Sequence, residues 1–194
     1  MDEIGAILSF WIDTVGEDGW YTPVAAVDED CRARFLALWE KARAGGLTDW
    51  GATPGGALAY LILTDQFPRN MFRGDPRSFA TDAAARAMAT GAIAAGHDLR
   101  IPEPQRQFFY LPFEHSEDPA DQDRSVALMR DRLTDRENRL HAEAHREIIR
   151  IFGRFPFRNA ALGRNTTPAE RAFIDEGGYG AMVRKVKARH EDSA

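Results

Sequence analysis

Two turns carry most of the residues in this sequence that could do chemistry. The first is Thr64-Asp65-Gln66-Phe67-Pro68-Arg69-Asn70-Met71-Phe72-Arg73-Gly74, where the most apolar part of the chain gives way to arginine, asparagine and glycine. A variation returns as Arg154-Phe155-Pro156-Phe157-Arg158-Asn159, followed by Gly163-Arg164. Guanidinium groups set on a turn beside an anchoring aromatic ring suit planar, two-point recognition of carboxylate or phosphate. The complementary groups lie elsewhere: Asp65, Gln122 and His145 interrupt otherwise apolar helical stripes, and His115 sits at a helix end. Glu114, Glu117, Asp118 and Asp121 surround His115 in sequence.

Three functions compete for this constellation. In the first, a cleft between helices binds a small anion or an acidic peptide end through Asp65, Gln66, Arg69, Asn70, Arg73, His115, Glu117, Asp118, Gln122, His145, Arg154, Arg158, Asn159 and Arg164, because the arginines outnumber the nearby acids. In the second, the same cleft is a hydrolase or transferase site for an anionic substrate, with His145 or His115 as acid and base and Asp65 as the orienting partner. In the third, the arginines and asparagines stitch helix ends together in a polar network that needs no ligand. Whether the chain is an enzyme stays open at this stage. No metal or other cofactor is expected. His141 and His145 stand one helical turn apart, but the intervening Glu143 is one place late for the zinc-protease motif and no third ligand presents itself. Ser116 beside His115 is adjacency without geometry, and no nucleophile elbow, P-loop or dinucleotide fingerprint occurs.

Composition bounds the setting. With 194 residues, 44% of them hydrophobic and 28% charged, the chain can bury one substantial core, and it reads as a single domain over residues 1–194. A net charge of −5 argues against a nucleic-acid partner. Lys41, Lys185 and Lys187 are the lysines, and the rest of the 25 basic residues are arginines. The lone Cys31, among apolar-periodic neighbours, reads as a small core residue in a reducing compartment. The opening Met1-Asp2-Glu3 lacks a signal-peptide pattern, and no uninterrupted apolar run is long enough to span a bilayer, so a cytoplasmic location and no membrane contact are expected.

The elements that must position these groups are helical. Ile4, Ile7, Leu8, Trp11, Ile12 and Val15 form one amphipathic stripe, closed by Gly16 and Gly19. A second helix is expected over residues 28–44 with Cys31, Phe35, Leu38, Trp39 and Ala42 inward. Thr53-Pro54 starts a central helix, apolar nearly all round, which Pro68 is expected to break. Thr81 or Asp82 should cap an alanine-rich helix, and Pro104 should open one carrying Phe108, Phe109, Leu111 and Phe113. Asp118-Pro119, a capping box from Thr134 to Glu137, and a second box over Thr167-Pro168-Ala169-Glu170 mark later starts. This gives an all-α architecture of about eight or nine antiparallel helices without convincing strand alternation. Phe10, Trp11, Trp20 and Tyr21 belong either to the core or to a dimer surface, and oligomeric state is not legible.

The longer motifs resemble a known family. Ser9-Phe10-Trp11, the stretch Thr64 to Gly74, Phe79-Ala80-Thr81-Asp82, Phe108 to Asp118, and Phe152 to Asn159 with Leu162-Gly163-Arg164 are similar to the bacterial family called domain of unknown function 924. Phe157 stands where that family usually has a histidine, so no imidazole role carries over there. The resemblance implies a tetratricopeptide-like helical fold, and it brings no established activity.

Overall fold

The computed structural model describes residues 2–192. Every regular element among them is helical. The chain forms two compact units, Met1–Pro112 and Phe113–Ala194.

In the N-terminal unit, α1 (Glu3–Leu8) runs on into a π-helical turn, Ser9–Val15, and a short α2 (Glu17–Trp20) follows. The long α3 covers Ala25–Arg43 and α4 covers Pro54–Leu61, with Thr53 as N-cap accepting from the Gly56 N–H. The stripe that periodicity assigned to the interior is indeed buried at Ile7, Trp11, Cys31, Phe35, Trp39 and Ala42. The ring of Phe67 is the hub, 4.8 Å from Phe35, 5.4 Å from Trp11 and 6.0 Å from Phe10. Trp20 joins this core and donates Nε1–H to the Trp11 carbonyl at 2.8 Å, whereas Tyr21 is 60% exposed. Burial pushes the Cys31 thiol up to about 12, so it packs as an inert apolar group.

Pro68 does not break the central helix. The chain passes from α4 through a π-turn, Ile62–Gln66, directly into α5 (Phe67–Met71), with Pro68 in the first turn of that segment. Proline lacks the N–H that Thr64 O would accept in an uninterrupted α-helix. The Thr81 hydroxyl supplies it instead, donating to Thr64 O at 2.5 Å, and the Arg69 guanidinium donates to the next carbonyl, Asp65 O, at 2.6 Å. The wider turn therefore lets the helix absorb a proline because two side chains satisfy the carbonyls it exposes.

Thr81 consequently makes no capping bond to α6 (Asp82–Ala94), although it occupies the N-cap position. Its oxygen also accepts the Trp39 indole N–H at 3.1 Å. Replacing Thr81 by valine keeps the shape but leaves a carbonyl and an indole N–H unpaired, and the expected cost is about 1–3 kcal/mol in urea unfolding. Thr81→Ser should recover most of that stability. The expected helix after Pro104 is also absent: Gln105–Phe109 is a 3₁₀ segment, followed by the short α7 (Leu111–Glu114), within which the boundary between the units falls. Pro112 in the middle of the run denies a longer helix one of its N–H donors.

In the C-terminal unit, α8 (Pro119–Arg132) starts on Asp118, which accepts from Ala120 N–H at 2.8 Å. The next helix, α9 (Arg136–Phe152), is capped by Asp135 rather than by a box from Thr134, because the Asp135 carboxylate takes the Glu137 N–H at 2.9 Å. It ends at Gly153, whose φ of 69° lets the chain reverse into the second Phe-Pro turn. A full capping box between Thr167 and Glu170 opens α10 (Pro168–Asp175), and α11 (Gly178–Glu191) closes the described chain. Both α8 and α11 pack on α9, and α11 meets it around Leu140, Ile148, Ile149, Phe155, Met182 and Val186. No helix of the described residues is long and apolar enough to cross a membrane.

Candidate functional site

The first Phe-Pro turn is a closed set of ion pairs. Asp65, 1% exposed in its side chain, accepts from Gln66 Nε2 at 2.5 Å and lies 3.4 Å from the Arg69 guanidinium. Arg69 also grips Asp82 with two hydrogen bonds, at 3.0 and 3.2 Å. Asn70 and Arg73 both reach Asp28 on α3, Asn70 Nδ2 at 2.8 Å and Arg73 at 2.5 and 2.8 Å. Burial pushes the Asp28 carboxyl up, but bonds from Arg73 and Asn70 outweigh it and hold the group below its ordinary range.

The second turn repeats the pattern with other partners. Arg164 pairs with both oxygens of Glu117, at 2.7 and 3.0 Å, and donates to Phe155 O at 3.1 Å. Glu117 in turn accepts the Phe155 N–H at 2.8 Å, so one carboxylate fixes both ends of the turn. Asn159 accepts from Arg164 Nε at 3.0 Å. Arg154 forks onto Glu170 at 2.6 and 2.9 Å, and that contact, with the Thr167 N–H, keeps the Glu170 carboxyl far below its usual range. Gln122, fully buried, donates toward the carbonyls of Glu114 and Ser116 at 2.6 Å and pins the chain that carries His115.

The expected excess of arginine over acid is therefore not what these turns contain. Arg69, Arg73, Arg154 and Arg164 each hold a carboxylate, and Asp28, Asp82 and Glu170 are the acids that the sequence did not tie to them. Each pairing joins segments at least 13 residues apart, a separation at which helical spacing carries no information.

Imidazole chemistry gathers in the C-terminal unit. His145 Nδ1 lies 2.9 Å from Glu114 Oε1 and 3.0 Å from the His141 carbonyl, so both contacts fall on the same ring nitrogen. The carboxylate beside His145 is thus Glu114 and not Asp65, whose charge is engaged by Arg69 in the N-terminal unit. His115 stands edge-on to His145 with ring centroids 6.3 Å apart. The Tyr179 ring lies 4.7 Å from His145, and its hydroxyl is hydrogen-bonded to His141 Nδ1. The Phe155 ring also lies against His145, at 5.4 Å, and the Arg158 guanidinium covers the Phe155 ring at 4.5 Å.

Glu114 is legible in the sequence only as an available acid, and His141 and Tyr179 are not among the site residues the sequence predicts. His141 carried a usable signal in its one-turn spacing from His145. Glu114 and Tyr179 carried none, since α7 and α11 meet α9 only through the tertiary fold. Among the described residues, no group of three or more His, Cys, Asp or Glu side chains is arranged to hold a metal ion.

Electrostatics give this cluster a pH signature. Burial pushes the Glu114 carboxyl up, but the charge and hydrogen bond of His145, with His115 and His141 beyond it, bring it below its ordinary value of 4.5. Burial pushes His141 below its ordinary 6.5. A histidine with a depressed folded pKa binds fewer protons folded than unfolded, so its contribution is intact above 6.5 and lost as pH falls below it. Glu114 and Glu117, depressed from 4.5, hold their contribution above that value and lose it on further acidification. Thermal midpoints at about pH 7.5, 5.5 and 4 should fall in two stages, and His141→Gln should flatten the first stage alone.

Residues 7–178 match the family model described as bacterial protein of unknown function (DUF924). The chain is also similar to a solved protein of unknown function from Agrobacterium tumefaciens, at 42% identity and a TM-score of 0.85, over 90% of this chain and 97% of that one. Comparison with curated proteins found no match.

Proposed function

The chain belongs to this family of bacterial proteins of unknown function (DUF924), and from the geometry of its C-terminal unit we propose that it binds a small anionic molecule beside His145 and moves a proton to or from it. One observation carries the reading: the Glu114 carboxylate, 5% exposed, meets His145 Nδ1 at 2.9 Å. A buried carboxylate at Nδ1 selects the tautomer that keeps its proton there. The lone pair is then on Nε2, which neither Glu114 nor the His141 carbonyl engages, and that nitrogen is the general base. Once His145 takes the proton, Glu114 stabilises the imidazolium. An anion is the fitting ligand because three imidazoles, His115, His141 and His145, lie within electrostatic reach of Glu114.

The paired arginines favour a different role for the two Phe-Pro turns. With Asp28 and Asp82 as partners the first turn braces helix ends of the N-terminal unit, and with Glu117 and Glu170 the second braces those of the C-terminal unit, where the imidazoles lie.

A thermal-shift panel of small carboxylates and phosphates would name the ligand class, and turnover would then be measured with activated esters of that class. His145→Gln should leave ligand binding within a few-fold and reduce turnover by roughly 10²–10⁴-fold. Glu114→Gln should reduce turnover and displace the acidic limb of its pH profile, the limb on which a general base is lost to protonation. The proposal fails if no anion shifts the midpoint, or if His145→Gln turns over like the wild type.

A further inference from the structure

A second site lies in the N-terminal unit, remote in sequence from the imidazole cluster. The end of α3, the 3₁₀ segment Thr48–Ala52, α4 and α6 line an open-sided cavity of about 600 Å³, with Ala87 and Gly91 on its exposed flank. That volume is in the range that small-molecule sites occupy. Its α6 wall is built from residues with almost no side chain, including Ala84, Ala87 and Gly91, so the wall is flat and apolar. Met88 supplies a thioether on the same wall, seated so closely on Gly51 that a Cβ there would stand 2.8 Å from its sulfur.

The polar features of this cavity are few and placed apart. Tyr60, 2% exposed, lines it from α4. Among the described residues no group hydrogen-bonds its hydroxyl, and burial alone pushes its pKa up. Its oxygen is not sealed from solvent, and Tyr60 is one of the residues that line the cavity. A phenol hydroxyl inside a core normally finds a partner, because leaving it unpaired is costly. At the rim, Arg43 lies 3.7 Å from its nearest acid, Glu40, and its side chain is 46% exposed.

We propose that this cavity is a binding site for a small planar aromatic acid. The ring lies on the Ala84–Gly91 wall against the Met88 sulfur, a contact that thioethers make favourably with aromatic rings. An oxygen of the ligand accepts the Tyr60 hydroxyl, and Arg43 at the rim favours the negative charge. Aliphatic cations are disfavoured by the same rim.

The test is calorimetric titration of the full chain with 1-naphthoate, set beside 1-naphthylmethylamine as the cationic counterpart. Wild-type protein should bind one naphthoate per chain and bind the amine at least tenfold more weakly. A Cβ added at Gly91 meets nothing within 4 Å, so Gly91→Phe is designed to place a ring over the site, and it removes a glycine from the interior of α6. It should weaken naphthoate binding at least tenfold while the melting temperature does not fall. Tyr60→Phe should weaken binding roughly two- to tenfold, the worth of one neutral hydrogen bond, again without loss of stability. Absence of saturable naphthoate binding overturns the proposal. So does a folded Gly91→Phe protein that binds as well as the wild type, or equal affinity for the amine.

Discussion

Replacing Arg69 by methionine is expected to lower the unfolding free energy by about 3–5 kcal/mol. The guanidinium, only 20% exposed, lies within 4 Å of two carboxylates that are themselves almost closed to solvent, Asp65 at 1% and Asp82 at 11%. Methionine replaces the packing of the stem but takes a guanidinium away from both carboxylates. It also removes the donor to Asp65 O, one of the carbonyls exposed at the Pro68 turn. Urea denaturation would show the loss directly. At about 2–4 °C per kcal/mol for a chain of this size, the midpoint should drop by roughly 10 °C. The double variant Arg69→Met with Asp82→Asn should be less destabilised than the single one, because one of the two charges that lost the guanidinium is gone. Equal losses in the two variants would mean that packing, and not charge pairing, holds the first turn.

Phe155→Ala should cost about 3–5 kcal/mol as well, for an apolar reason. This ring is fully buried, and it touches His145 at 5.4 Å, Phe157 at 5.3 Å and the Arg158 guanidinium at 4.5 Å. Truncation opens a cavity between α9 and the second Phe-Pro turn, beside the imidazole proposed as the base. Stability and function should therefore fall together, measured by thermal melting and by turnover on the anion class that binds. Phe155→Leu should restore most of the stability. It should restore turnover only in part, since a leucine does not present the face against which His145 stands edge-on. If Phe155→Leu were as active as the wild type, the ring would be a spacer and no part of the imidazole's setting.

Helices were legible in this chain because their signals are local. Thr53-Pro54, Asp118-Pro119 and the Thr167–Glu170 box announced starts that the structure contains, and the interior positions Ile7, Trp11, Phe35 and Trp39 followed from a 3.6-residue period. The same period brought Asp65, Gln122 and His145 inward, and the family resemblance followed from motifs running through most of the chain. Pro68 shows where local rules fail: the helix continues because the Thr81 hydroxyl, 13 residues beyond the proline, takes the place of its missing donor at Thr64 O. The partners of the arginines were hidden for the same reason. Asp28 is 45 residues from Arg73, and Glu117 is 47 from Arg164, distances over which only the packed chain brings charges together.

By itself, then, the sequence determined that this protein is helical, where most helices begin, and which polar side chains turn toward the interior, all consequences of spacing and capping within a few residues. Only the tertiary structure decided which inward charges cancel. It gave Arg69 to Asp82 and Arg164 to Glu117, and it set Glu114 and Tyr179 against the imidazoles of α9. The physical reason is that a buried charge must find its counterion by contact through space, and contacts between distant segments are set by how helices pack and not by the order of residues along any one of them.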